Sequence, residues 1–367
     1  MKVSFSYLDR QFADVDAYLG DIRKLVLSGK FTLGTAVSQF EGEFAALCGM
    51  PHAIGVGSGT DALILSLEML GVGPGDEVIT AANTFIATVG AIAVARARPV
   101  FVDSDESFTI NPALIEAAIT PRTKAILPVH YTGQPANMPA IAEIAKRHNL
   151  QIVEDACQSI SARYDDKPVG SWGATAGFSL HPLKNLNVWG DGGVIVTRDG
   201  ELAEKLRLYR NHGLSNRDEV LIFGHNSRLD ALHAVIGSRL IRETETITSR
   251  RIANARKLDK ALGALTPEVR VPRRAANEKH VYHLYIVRVD RRDELLAYLK
   301  KNGIDARVHY PVPVHLQPAA KALGYKVGDF PVAERDSRES ITLPVHQHLT
   351  GEELDYMVAR IRSFYRS

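Results

Sequence analysis

Cysteine is scarce in this chain, with only Cys48 and Cys157 among 367 residues. Their separation fits no zinc site and no dithiol redox motif. Counting leaves one disulfide open, but two free thiols in a reducing compartment is the simpler reading. An excess of charge of one sign is missing too: 44 Lys and Arg face 42 Asp and Glu, a formal +2. Nucleic-acid binders carry a strong basic excess, so no nucleic-acid partner is expected. No apolar run approaches the roughly 18 to 20 residues of a membrane helix. The first residues, Met1-Lys2-Val3-Ser4-Phe5, lack a signal-peptide pattern. No membrane association is expected, and the expected location is the cytoplasm.

What is present reads as a soluble enzyme-sized chain. Hydrophobic residues make up 45% and charged residues 23%, the ordinary balance of a globular protein. The length suits one large domain and a smaller one. Residues 9–50 read as helical with a break at Gly29–Gly34, and Val37, Phe40, Phe44, Ala45 and Cys48 share one helical face. Strands are then expected at His52–Gly57, Glu77–Thr80, Pro99–Val102, Lys124–Val129, Gln151–Glu154, Thr175–Leu180 and Gly193–Thr197. Between them fall helices over Asp61–Leu70, Phe85–Ala95, Pro112–Ile119 and Met138–His148. This alternation implies an α/β fold, a mostly parallel sheet with helices on both faces. Ligands of such sheets sit beyond the carboxyl ends of the strands. From Leu202 to Leu262 the chain reads as long charged helices. A strand over Val281–Val289, a helix over Arg291–Asn302 and a second strand over Ile304–Val308 then predict a small α+β domain. The expected division is 1–246 and 247–367.

Three segments carry chemistry. Gly57-Ser58-Gly59-Thr60-Asp61 follows a strand and opens a helix. Backbone N–H groups there can meet a phosphate at a helix N-terminus, although a plain turn with a helix cap explains the residues as well. The segment is neither the G-x-G-x-x-G fingerprint nor a Walker loop. Asp155, in Val153-Glu154-Asp155-Ala156-Cys157-Gln158, ends a buried strand, where a carboxylate is costly unless paired. A protonated pyridine nitrogen would serve as its partner, and a helix N-cap is the plainer reading. No second carboxylate or histidine lies at ligand spacing, so no metal is expected. Lys184, in Phe178-Ser179-Leu180-His181-Pro182-Leu183-Lys184-Asn185-Leu186, lies among apolar residues before Gly190-Asp191-Gly192-Gly193. A desolvated amine there would have a lowered pKa and attack an aldehyde; a solvated surface charge is the alternative.

In this order the motifs resemble those of the DegT/DnrJ/EryC1/StrS sugar aminotransferases, pyridoxal 5′-phosphate (PLP) enzymes of fold type I. The resemblance runs from Gly34 and Phe40-Glu41 to Leu343-Pro344-Val345-His346. It implies a PLP Schiff base on Lys184, which also shuttles the proton, and an ion pair between Asp155 and the ring nitrogen. Gln158 is implied to bond the ring hydroxyl, Phe85 to stack on the ring, and Gly59, Thr60 and Ser179 to cradle the phosphate. Taken alone, Phe85 reads as core. Asn226 resembles the residue that reaches the phosphate of the neighbouring subunit, implying a homodimer with composite sites. Arg228 is a candidate for an anionic group, or for an ion pair with Asp230. His309, Tyr310 and His315, in the segment Ala306–Pro318, are candidates for sugar contacts or for domain packing. His280-Val281-Tyr282-His283 is expected to be structural, and His181 to stand behind the site.

The implied reaction moves an amino group from an amino acid, L-glutamate by resemblance, to a keto sugar. A nucleotide-linked 3-keto or 4-keto deoxyhexose is the first expectation. Related sugar dehydratases carry histidine at the lysine position, so Lys184 favours transamination over dehydration. A non-catalytic regulator would not need the cofactor residues that are all present here. Asn187 and Trp189 depart from the commoner pattern, which leaves a nucleotide-free sugar open.

Overall fold

The computed structural model describes residues 1–366. Seven strands form the main sheet: β1 (His52–Val56), β2 (Glu77–Ala81), β3 (Arg98–Val102), β4 (Thr123–Leu127), β5 (Gln151–Asp155), β6 (Thr175–Ser179) and β7 (Gly193–Thr197). Their spatial order is β1-β7-β6-β5-β4-β2-β3. Only β7 runs antiparallel to its neighbours β1 and β6; the other pairs are parallel. This is the mostly parallel α/β sheet that the alternation predicts. Strands β2, β6 and β7 are buried at every residue, as expected where both faces are covered.

Adjacent residues of each strand enter different cores. Val78, Ala125 and Val153 pack with Leu63, Ala91 and Ile92 on one face. Ile79, Ile126 and Ile152 pack with Met138, Ile141 and Ile144 on the other. The covering helices are α1 (Val15–Ser28), α2 (Thr35–Cys48), α3 (Gly59–Met69), α4 (Ile86–Val94) and α5 (Met138–Arg147). In α5 the Asn137 side chain caps the Ala140 N–H, and Lys146 and Arg147 lie at the C-terminal end, where cations complement the helix dipole.

The chain continues through α6 (Gly200–Tyr209), α7 (Ala231–Leu240) and α8 (Thr244–Leu262). Residues 210–230, expected to be helical, form a loop pinned by turns and bridges. A second sheet joins β8 (Val269–Arg270), β9 (Tyr285–Val289) and β10 (Ser340–Leu343), all antiparallel. It packs with α8, with α9 (Arg292–Lys301) and with α11 (Gly351–Arg366). Helix α10 (Pro331–Glu339) instead spans the two parts: Phe330 and Ala333 pack beside Phe101, and Asp103 accepts the Val332 and Ala333 N–H groups at 2.9 Å.

Two further expectations need correction. Pro112–Ile119 forms two short 3-10 turns rather than one helix. Residues 304–308 make isolated bridges, Ile304 with Val3 and Arg307 with Thr342, while the strand beside β9 is Ser340–Leu343. The division at 246/247 falls inside α8. That rod inserts Ile247 into the first core and Ala255, Leu258 and Leu262 into the second, which Val3 also joins.

Candidate active site

Strands β1, β6 and β5 run in one direction and end side by side. From their carboxyl ends come the α3 N-terminus, Ser179 with the following lysine loop, and Asp155. One cavity of about 410 Å³ collects them. Of the residues singled out from the sequence, Gly59, Thr60, Phe85, Asp155, Gln158, Ser179, Lys184, His309 and Tyr310 line it, and so does His181, which was expected behind the site.

At the base of the cavity Ser58 caps α3, its hydroxyl accepting the Asp61 N–H at 3.0 Å. The cap and the phosphate-cradle readings therefore coexist. Two glycines let the turn close. A Cβ on Gly59 would stand 2.7 Å from Ser179 Cβ and 2.8 Å from Cys157 Sγ, and one on Gly193 would stand 2.2 Å from the Ser58 carbonyl oxygen. The turn is tied to the 210–230 loop by Ser227, whose hydroxyl accepts from the Gly57 N–H and donates to Asp61.

Lys184 sits on a loop held from outside the cavity. Its carbonyl accepts the Tyr7 hydroxyl at 3.0 Å and the Asn187 amide at 2.9 Å. Trp189 packs on Phe12 and Tyr18. The two unusual residues beside the lysine thus support its loop and are not among the residues that line the cavity. Burial lowers the Lys184 pKa, against the pull of Cys157 and Asp155 nearby.

Asp155 is buried at the cavity wall. No helix follows β5, so the N-cap reading does not hold. Its Oδ1 accepts the Cys157 N–H at 3.1 Å and its Oδ2 accepts the Thr88 hydroxyl at 2.7 Å. Gln158 Oε1 accepts the Thr132 N–H at 2.7 Å, and its amide nitrogen is a donor with the Tyr310 hydroxyl among its partners. Phe85, just before α4, is 44% exposed and lies 5.6 Å from the Tyr310 ring. An exposed aromatic lining a cavity is not a core residue, so packing alone does not explain it.

His309 shares a 2.8 Å hydrogen bond between Nδ1 and Thr342. Burial, with Arg307 and Lys184 nearby, lowers its pKa to about 4, so the imidazole is neutral at pH 7. Burial also raises the Tyr310 pKa.

Three candidates lie elsewhere. His315 is buried, with Nε2 3.2 Å from Glu334 and its ring edge-on to Phe330; it packs between the two parts and does not reach the cavity. Arg228 donates to Asn211 at 2.9 Å and makes no ion pair with Asp230. Asn226 is exposed on the same loop, near Phe223, which is 98% exposed. Both lie outside the cavity of their own chain.

Other lining residues escaped the sequence reading. Phe5 comes from the N-terminal segment, with the Arg307 guanidinium 4.4 Å above its ring. Neither position carries a periodic signal. His283, expected to be structural, lines the cavity, while its neighbour His280 stacks on Tyr282 as a packing residue. Thr88, which does not line the cavity but holds Asp155 from behind it, carried the one available signal, a polar residue a turn beyond Phe85 in an otherwise apolar helix.

A carboxylate, a desolvated amine, an exposed aromatic ring and a helix N-terminus around one cavity fit the functional groups of PLP, namely ring nitrogen, aldehyde, ring face and phosphate. The whole chain also has close relatives. A protein of Geobacillus stearothermophilus named pleiotropic regulatory protein is 47% identical over 348 residues, covering 94% of this chain and 93% of that one. The dTDP-3-amino-3,4,6-trideoxy-alpha-D-glucose transaminase of Streptomyces venezuelae is 43% identical over 344 residues, covering 94% and 90%. The solved structure of S. venezuelae DesV in complex with a ketimine intermediate superposes with a TM-score of 0.96 at 42% identity, covering 99% and 98%. The structure of NtdA from Bacillus subtilis with bound cofactor PMP superposes with a TM-score of 0.93 at 32% identity, covering 100% and 86%. Residues 14–362 match a single family throughout. This chain therefore belongs to the DegT/DnrJ/EryC1/StrS aminotransferase family.

Proposed function

We propose that this aminotransferase binds PLP at Lys184 and moves an amino group from an amino acid, L-glutamate in the first instance, to a nucleotide-linked 3-keto or 4-keto deoxyhexose. One observation carries the reading: the Lys184 amine, the Asp155 carboxylate and the α3 N-terminus at Gly59–Thr60 open into the same cavity. The amine-transferring relatives of this length act on sugars by name.

When bound, PLP supplies an aldehyde and a ring that accepts electrons from the bond being broken. The protein does the rest. The α3 N-terminus, with Thr60 and Ser179, receives the phosphate charge. Asp155 would accept a hydrogen bond from the protonated ring nitrogen, the Gln158 amide would donate to the ring hydroxyl, and Phe85 would cover one ring face. Lys184, whose pKa burial lowers, gives up its proton more readily than a free lysine. Its amine would hold the cofactor through the aldehyde carbon and, when freed, would take a proton from the donor's α-carbon and return it one position along. The same exchange runs in reverse on the keto sugar.

Tyr310 and the neutral His309 face the cavity as sugar contacts, each with an apolar body and a polar tip. Asn226 and Arg228 act on the site of a second copy, Asn226 at its phosphate and Arg228 at an anionic group, so the working unit is a cytoplasmic homodimer.

The test is a visible absorbance spectrum of the purified protein with PLP. L-glutamate should bleach the band, and a dTDP- or UDP-linked keto sugar should restore it. Restoration by free sugars alone would put the nucleotide-free reading first. A protein that takes up no PLP would favour a regulatory role, as the name of the Geobacillus relative suggests.

A further inference from the structure

The site contains more than a carboxylate for a ring nitrogen. Thr88 Oγ1 stands 2.7 Å from Asp155 Oδ2, and Thr84 Oγ1 stands 2.8 Å from Thr88 Oγ1. Thr84 is 2% exposed and Thr88 not at all, so solvent does not compete for these hydroxyls. An ionised carboxylate only accepts hydrogen bonds, and a threonine has one hydroxyl proton. Thr88 must therefore donate to Asp155, and its own oxygen accepts from Thr84. The chain of donors runs Thr84 to Thr88 to Asp155.

Asp155 is thus gripped on both oxygens from behind, by Thr88 on one and by the Cys157 N–H on the other. Each oxygen keeps a lone pair for the cavity. Without Thr88 the carboxylate would keep only its contacts to Cys157 and could turn about its Cβ–Cγ bond. Thr88 lies in the first turn of α4, which begins directly after Phe85. One helical turn therefore carries both the aromatic ring at the cavity and the hydroxyl that orients the acid. A hydroxyl buried in an apolar helix is costly unless it is bonded, and this one is bonded on both sides.

We infer that Thr88, backed by Thr84, is a positioning residue that aligns Asp155 for its hydrogen bond to the ring nitrogen of the cofactor. The inference rests on the proposed PLP chemistry. It adds a two-hydroxyl relay from α4 that sets how firmly the ring keeps its proton.

The test uses the full-length protein loaded with PLP labelled with 15N in the ring, whose 15N shift reports protonation of that nitrogen. Thr88→Val keeps the shape and β-branching and removes the proton donor. Its ring nitrogen should lose the proton at a pH about one unit lower than in the wild type. The turnover number should fall about ten- to a hundredfold, the range for one lost hydrogen bond to a charged group. Thr88→Ser should restore both, and Thr84→Val should shift both in the same direction by less. In an Asp155→Asn background Thr88→Val should add nothing. If Thr88→Val fails to fold, the Thr84→Val titration decides. A wild-type 15N titration in a folded Thr88→Val protein, or in Thr84→Val where that variant decides, overturns the inference alone. A wild-type protein that takes up no PLP overturns the functional reading and this inference with it.

Discussion

The phenolic oxygen of Tyr7 lies 3.0 Å from the carbonyl oxygen of Lys184. A residue from the extreme N-terminus thereby holds the backbone of the central lysine, 177 positions away. The Arg251 guanidinium lies 5.0 Å from the Tyr7 ring. Arg251 is itself buried, donating to Gln347 at 2.9 Å and to the Tyr282 carbonyl at 3.0 Å. The N-terminal segment, α8 and the β10–α11 connection thus converge behind the lysine loop.

Replacing Tyr7 with Phe should therefore act on the lysine without touching the cavity. The Asn187 amide still holds the carbonyl, so stability should fall by only about 1 kcal/mol. The dissociation constant for PLP should rise about fivefold. Chemical denaturation and a cofactor titration measure the two effects, and unchanged PLP affinity would show that the clamp does not reach the amine.

Lys184→Ala removes the group proposed both to attack the aldehyde and to carry the proton. Turnover should drop by at least roughly three orders of magnitude, with the thermal midpoint near that of the wild type. Steady-state transamination by the variant at wild-type rates would sink the assignment.

Gly59→Ala places a methyl group 2.7 Å from Ser179 Cβ. Both neighbours are short side chains close to the backbone, so the turn itself must move. A loss of about 1–3 kcal/mol is expected, together with weaker binding of PLP through its phosphate. Inorganic phosphate should compete with PLP in the wild type and less effectively in the variant.

A composite site predicts complementation. Lys184→Ala and Asn226→Ala subunits should each be impaired alone. Mixed and allowed to exchange, they form heterodimers with one site that carries both residues intact. Activity should reappear on mixing, and its absence in a proven heterodimer would refute the cross-subunit role of Asn226.

Stability should fall as the solution is acidified. Burial lowers the His309 and His346 pKa values to about 4, against 6.5 for a free histidine. Between those values the unfolded chain binds protons that the folded chain refuses, so stability drops as pH falls from about 6.5 toward 4. At pH 5 the loss should be on the order of 2 kcal/mol per histidine. Urea midpoints at pH 7.5 and pH 5 measure it, and His309→Asn should flatten the dependence.

Much of this protein was legible in the sequence because the signals are local. Seven short apolar runs separated by helical periods specify a covered parallel sheet, since backbone pairing and burial on both faces leave few other arrangements. The motifs at Gly59, Asp155 and Lys184 follow strands, and strands of one direction deliver their ends to one side. Where the local signal was thin, the chain took another form: Pro112–Ile119 shortened into turns, and the edge strand of the small sheet came from Ser340–Leu343. Only the tertiary structure decided which candidates meet. It brought Phe5, Arg307 and His283 to the cavity from segments that share no motif, and it buried His315 against Glu334. It also gave Asn187 and Trp189 to the support of the lysine loop and set the Thr88 hydroxyl on Asp155. Apart from the local Asn187–Lys184 hydrogen bond, these contacts join residues from 19 to 177 positions apart. They depend on where side chains point after the cores have packed, which no local period encodes.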